Sequence, residues 1–237
     1  MRFDPFDEYL KYLDGIAFDK LLQDADYRAA SKMVHKRVLA LLVLEFQIDV
    51  SIRQGQVGNL ERDSAPFLSE FRSDLLSTML IFQIGLYKAA SMSARSALEN
   101  LFRVIAGLQG LDFRPLDSVF ELVELVKQSP ARTTYSQFDQ ELGVLIDKYG
   151  ALCKYVHSAG EEFMSLDRKL GEIPRWTKDD GEALAANFVR MVQSAMSLLI
   201  YLRVSALREL RHDQRDIVLD ALSNTTKGVL TRDLGLL

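Results

Sequence analysis

Residues 138–157 read FDQELGVLIDKYGALCKYVH, and their apolar side chains recur at steps of three and four. This spacing places the apolar residues on one face and predicts an α-helix from about Ser136 to His157. Gly143, Gly150 and His157 are two turns apart and form one row along the edge of that face. Glycine costs about 1 kcal/mol relative to alanine inside a helix, so the row predicts a closely packed neighbour.

The same spacing covers most of the chain. It predicts long helices at about 25–53, 66–107 (with a break near Gly85) and 178–211, and shorter ones at about 115–128 and 213–222. No alternating β pattern, repeat or low-complexity tract stands out. We therefore predict an all-α, up-and-down bundle of four to five long helices with short accessory helices. Residues 1–237 would form a single domain: short helices at about 1–24, the bundle at about 25–211, and a C-terminal helix and tail at about 212–237.

Composition narrows the class of protein. The 237 residues are 48% hydrophobic with a formal net charge of −4, which allows a large core and argues against coating nucleic acid through bulk charge. The single cysteine, Cys153, lies on an apolar face and is expected to be buried and inert, as in a reducing cytosol. No signal-peptide core or apolar run long enough for a bilayer occurs, so we predict a cytoplasmic protein without a membrane partner.

Glu45 interrupts an otherwise apolar helix at about 38–52. Because that helix is apolar nearly all round, it should be interior, and the carboxyl group should be buried. A buried carboxylate needs a cation or several donors. Glu45 therefore belongs either to a structural ion pair or to a functional cleft.

Arg95 and Glu99 are four residues apart and share a helix surface. The helical wheel places them roughly opposite the stripe of Ala97 and Leu101, which favours a solvated charged face, although small residues around Arg95 also allow a buried functional role. His157 lies near a helix C-terminus, where the helix dipole favours a protonated imidazole. No phosphate loop, dinucleotide fingerprint or zinc signature occurs, so no metal and no cofactor are expected.

The segments Arg95-Ser-Ala-Leu-Glu99, in a helix of small residues, and Tyr155-Val-His157, at the end of a later helix, resemble the HEPN superfamily over about residues 30–210. The resemblance implies a helical up-and-down bundle, often dimeric, in toxin–antitoxin, abortive-infection or other antiviral systems. Active members are metal-independent ribonucleases with an arginine and a histidine four to six residues apart on one helix. That arginine position falls on Gly150, Ala151 or Leu152, so only His157 carries over.

Three hypotheses follow. The first is a non-catalytic HEPN-like module of a defence, toxin–antitoxin or stress system, acting as a homodimer or as a subunit of a protein complex. The second is a metal-independent ribonuclease, in which His157 moves a proton at the ribose 2′-hydroxyl and Arg95 or Lys154 stabilises the developing charge on RNA. The third is a small-molecule or nucleotide sensor with its pocket between the helices. The candidate catalytic residues, expected to converge, are His157, Arg95 and Glu99, and the supporting residues are Glu45, Lys154 and Tyr155.

Overall fold

The helices follow the predicted order along the chain. The computed structural model describes residues 19–55, 57–157 and 173–236, and the side chains of 21–55, 57–154 and 173–236. All regular secondary structure in these ranges is α-helical, which confirms the predicted all-α fold. The helices are α1 (Asp19–Gln23), α2 (Ala25–Gln54), α3 (Asn59–Gln83), α4 (Tyr87–Leu108), α5 (Val119–Val126), α6 (Pro130–Thr134), α7 (Ser136–His157), α8 (Lys178–Leu202), α9 (Val204–Glu209), α10 (His212–Ala221) and α11 (Asn224–Leu234). Most of the predicted N-terminal helical segment, and residues 158–172, lie outside the described residues.

The five long helices, α2, α3, α4, α7 and α8, pack in a ring. Each contacts the next along the chain, and α8 returns to contact α2. Helices α2 and α3 are antiparallel, because Tyr27 at the start of α2 donates a hydrogen bond to the carbonyl of Gln83 at the end of α3. Helices α2 and α8 are parallel, because Lys178 and Asp26, both near helix starts, form an ion pair at 2.8 Å. An up-and-down ring with an odd number of helices requires one such parallel pair.

One hydrophobic cluster fills the ring and extends from Ala30 in α2 to Leu230 in α11. Helix α8 is long and apolar enough, by length and composition, to cross a membrane, but most of its apolar window is buried inside the bundle. Met196, Leu198 and Leu199 of α8 are fully buried. The apolar character of α8 is therefore that of a core helix.

Two predicted helix starts were wrong. Pro66 and Ser64 were expected near the beginning of a helix, but α3 begins earlier, at Asn59, and contains Pro66. Proline removes one backbone hydrogen bond in a helix interior, and the extensive packing of α3 on α4 compensates for this loss. Similarly, α5 begins at Val119 rather than near Pro115, because the Ser118 side chain caps the helix.

Of two breaks between helices, one was predicted and the other was not. The chain turns between α3 and α4 at Gly85, whose φ of +78° favours glycine, as the sequence indicated. The predicted helix at 178–211, however, is divided at Arg203 into α8 and α9. Its apolar spacing continues through the break, because Leu207 in α9 is also fully buried.

Gly143 and Gly150 meet no neighbouring helix among the described residues, so the close contact expected at these two positions was wrong. Apart from its own helix, a Cβ added at either glycine would have no described atom within 4 Å. The close helix contact occurs instead at Gly107 in α4, where a Cβ would lie 2.5 Å from the Cβ of Ser64 and 2.8 Å from the carbonyl oxygen of Leu60. Gly107 is therefore the glycine that allows α3 and α4 to approach.

Candidate functional site

Arg95 projects from α4 onto α7 and connects the two helices. Its Nη2 atom lies 2.7 Å from Glu99 Oε1, one turn further along α4, and donates a hydrogen bond of 3.1 Å to the Tyr149 hydroxyl. Its Nε atom donates to the sulfur of Cys153 at 3.3 Å. The guanidinium carbon also lies 5.4 Å from the centre of the Tyr149 ring. We call Arg95, Glu99, Tyr149 and Cys153 the Arg95 cluster.

Tyr149 closes the cluster by donating a hydrogen bond of 2.9 Å to Glu99 Oε1. Burial raises the pKa of the Tyr149 hydroxyl well above its ordinary value of 10, and the hydrogen bond to Glu99 raises it further. The hydroxyl therefore stays protonated at neutral pH and acts as a donor to the carboxylate. Burial alone would lower the pKa of Arg95, but the bond to Cys153 and the charge of Glu99 outweigh it, so the pKa is raised.

The Arg95 cluster is partly accessible to solvent. The exposed fractions of the side chains are 28% for Arg95 and 20% for Glu99, so the expectation of a solvated charged face was wrong. Helix α7 covers these residues, which a wheel of α4 alone cannot show. Cys153 is half-buried and accepts a hydrogen bond from a cation, rather than lying in a purely apolar environment as predicted.

His157 and Tyr155 lie at the end of α7, and their side chains are outside the described residues. The expected convergence of His157 with Arg95 and Glu99 therefore stays a prediction. As far as Cys153, one helical turn before His157, α4 brings Arg95 and Glu99 directly against α7. Lys154 follows Cys153 and is exposed.

Glu45 is buried and paired, as predicted. Its exposed fraction is 1%, and both carboxylate oxygens accept hydrogen bonds from Nη1 of Arg72 on α3, at 2.9 and 3.0 Å. Burial raises the pKa of the Glu45 carboxyl group to about 7, and the charge and hydrogen bonds of Arg72 limit the rise. This pair joins α2 to α3, and no described contact links it to the Arg95 cluster.

Glu141 is a second buried carboxylate, and the sequence interpretation missed it. It is 1% exposed, accepts hydrogen bonds from Ser194 at 2.7 Å and Gln137 at 2.8 Å, and forms an ion pair with Arg190 at 3.0 Å. Its position between the apolar residues at 138 and 142 was a signal of burial. The contacts to Ser194 and Arg190 join α7 to α8, so this carboxylate stabilises the helix pair.

Within the described part of the chain, no three or more His, Cys, Asp or Glu residues are grouped so that they could hold a metal ion. A shallow depression, lined by residues that include Tyr27, Arg28, Lys32 and Gln83, lies where α1, α2 and the end of α3 meet. It is formed by helices other than α4 and α7, which carry the Arg95 cluster.

No protein-family model, curated protein or solved structure matches this chain. Its functional interpretation therefore depends on the contacts of its own residues.

Proposed function

We propose that this chain is a HEPN-like helical module of a bacterial defence, toxin–antitoxin or stress system. It acts in the cytoplasm mainly through protein interactions, as a dimer or as a subunit of a complex. The up-and-down arrangement of five long helices supports this proposal. So does the packing of the helix that carries Arg95-Ser-Ala-Leu-Glu99 against the helix that ends in Tyr155-Val-His157.

The observation that carries a non-catalytic role is that the Arg95 guanidinium is already engaged. It contacts a carboxylate, a phenol and a thiol, all from the protein itself. A catalytic arginine must be free to meet charge that develops on the substrate. To do so here, Arg95 would have to exchange its 2.7 Å contact with Glu99 for a phosphate. In the proposed function, its charge instead holds α4 against α7.

One observation favours the ribonuclease hypothesis. Arg95 contacts Cys153, and His157 follows on the same helix one turn later. An arginine and a histidine from adjacent helices could then act together on RNA, with His157 transferring the proton and Arg95, or the exposed Lys154, stabilising the phosphorane-like charge.

RNA cleavage in EDTA separates the two functions. The purified chain is incubated with single-stranded and hairpin RNAs, beside a His157→Ala variant, and the melting temperatures of both are measured. We expect no cleavage above background in either protein. Cleavage by the wild type that resists EDTA, and that disappears in His157→Ala at an unchanged melting temperature, would establish the ribonuclease instead.

The free energy of unfolding of two variants measures the structural role of the Arg95 cluster. Arg95→Met keeps an unbranched apolar stem but removes the donors to Tyr149 and Cys153, so it should lower the free energy of unfolding by roughly 1–3 kcal/mol. Lys154→Met, one residue beyond Cys153 and exposed, is the matched control and should change stability little. Equal stability of Arg95→Met and Lys154→Met would contradict the proposed role of Arg95.

A further inference from the structure

Within the part of the chain that the structure describes, one face of α2 is not covered by other helices. Helices α1, α3, α8, α9 and α10 contact α2, and the buried residues of α2 lie on its other faces. The open face repeats at steps of three and four, and all its residues are exposed or half-buried. We call it the α2 stripe, and it consists of Arg28, Lys32, His35, Lys36, Leu39, Leu42, Val43, Phe46 and Val50. At 1.5 Å per residue the stripe is about 33 Å long.

Charge and apolar surface are separated along the length of the α2 stripe. Its N-terminal half is cationic, and within the described chain no carboxylate forms an ion pair with Lys32 or Lys36. Its C-terminal half is apolar, and Phe46 has an exposed fraction of 62%. A large aromatic side chain held in solvent beside other apolar residues is typical of an interaction site.

Helix α3 borders the stripe and supplies more apolar surface. The contacts of Tyr27 with Gln83 and of Glu45 with Arg72 set the antiparallel register of α2 and α3. This register places α3 residues of the upper seventies alongside the middle of the stripe. The residues of α3 on that edge are Ser69, Ser73, Leu76, Ser77 and Leu80, of which the two leucines are exposed.

We infer that the α2 stripe binds an amphipathic helix of a partner protein. Acidic residues of that helix would lie against Lys32 and Lys36, and its apolar residues against Leu39 and Phe46. Both parts follow from complementarity: unpaired cations select carboxylates, and an apolar face with helical spacing fits a helix packed along it. The inference rests on the proposed function, in which the chain acts by binding other proteins.

The arrangement of charges disfavours two other occupants of the α2 stripe, a second copy of this chain and a membrane surface. A second copy bound in reverse direction about the centre of the stripe would set Lys32 opposite Phe46 and Lys36 opposite Leu42, so the cations would meet apolar side chains instead of carboxylates. A membrane-surface helix carries cations along both edges of an apolar face, whereas the cations of this stripe lie at its N-terminal end, and Arg53, beyond its C-terminal end, is already paired with Asp49.

Fluorescence anisotropy with a designed helical peptide tests the inference. The labelled peptide has about 22 residues, to match the stripe, with leucines spaced by three and four on one face and glutamates at one end of that face. The full-length protein should bind it saturably. Binding should weaken roughly tenfold or more in Phe46→Ser, and also in the double variant Lys32→Glu/Lys36→Glu. Phe120→Ser, which removes an exposed aromatic residue from α5, is the matched control and should leave binding unchanged.

Several outcomes would overturn the inference: absence of saturable binding, equal weakening by Phe120→Ser, or equal affinity for a peptide with lysine in place of glutamate. Self-association of the protein that Phe46→Ser abolishes, without peptide binding, would assign the stripe to a second copy. Binding to phosphatidylglycerol vesicles without peptide binding would assign it to a lipid surface. A failed peptide experiment leaves the RNA result untouched, so failure of the inference and failure of the proposed function are distinguishable.

Discussion

Replacing Glu45 by glutamine should remove a large part of the pH dependence of stability between pH 5 and 8. The Glu45 carboxyl group is 1% exposed, and burial raises its pKa from an ordinary 4.5 to about 7. Between these two values the folded protein holds a proton that the unfolded chain has released. The contribution to stability is therefore present at low pH and is lost as the pH rises through 7. A pKa difference of about 2.5, at about 1.36 kcal/mol per unit, corresponds to roughly 3 kcal/mol in total.

Urea denaturation at pH 5 and pH 8 measures this effect. From pH 5 to pH 8 the wild type should lose roughly 2–3 kcal/mol relative to Glu45→Gln, since subtracting the variant cancels the other titrating groups. Glu70→Gln, at an exposed glutamate on α3, is the matched control and should follow the wild type. Identical pH dependence in the wild type and Glu45→Gln would refute the reasoning that Glu45 titrates near neutrality.

The partner residue gives an independent measurement of the same ion pair. Arg72→Met leaves the Glu45 carboxylate buried without its cation, which at pH 8 should cost roughly 3–5 kcal/mol. At pH 5 the carboxyl group is protonated, so the loss should be smaller. Because 32% of the Arg72 side chain is exposed, the reverse change, Glu45→Gln, leaves a cation that water can reach and should be tolerated better. A loss from Arg72→Met that is the same at both pH values would contradict this account.

Two further predictions concern the packing of the bundle and are checked by thermal or urea unfolding. Gly107→Ala should destabilise the protein by roughly 1–3 kcal/mol, because the added Cβ would clash with α3. Gly143→Ala should stabilise it by about 1 kcal/mol, because the added Cβ has free space. Equal effects of the two variants would show that α3 and α4 are not in close contact at Gly107. Ser194→Ala removes a donor from the buried Glu141 carboxylate and should cost roughly 1–3 kcal/mol. Ser197→Ala should be nearly neutral, because the buried Ser197 hydroxyl has no partner among the described residues. A larger loss for Ser197→Ala than for Ser194→Ala would contradict the described hydrogen bonding.

The sequence alone determined which segments form the long helices and that Glu45 is buried. Helical hydrogen bonds connect residues four apart, so the spacing of apolar residues within one segment records which face is buried. Glu45 lies inside such a segment, and its burial follows from its immediate neighbours. The helix at 136–157 was predicted correctly for the same reason.

Only the tertiary structure decided which residues meet across helices. Glu45 pairs with an arginine 27 residues away, and Arg95 bonds to Tyr149, 54 residues away, neither of which was expected. Gly143 and Gly150 contact no neighbouring helix in the described part of the chain, while Gly107, which no pattern singled out, lies in close contact with α3. A sequence pattern shows that a face must be covered, but side chains of similar polarity are interchangeable in such a pattern. Which partner covers the face depends on the rotation and register of two packed helices, and these are set by the packing of the whole core.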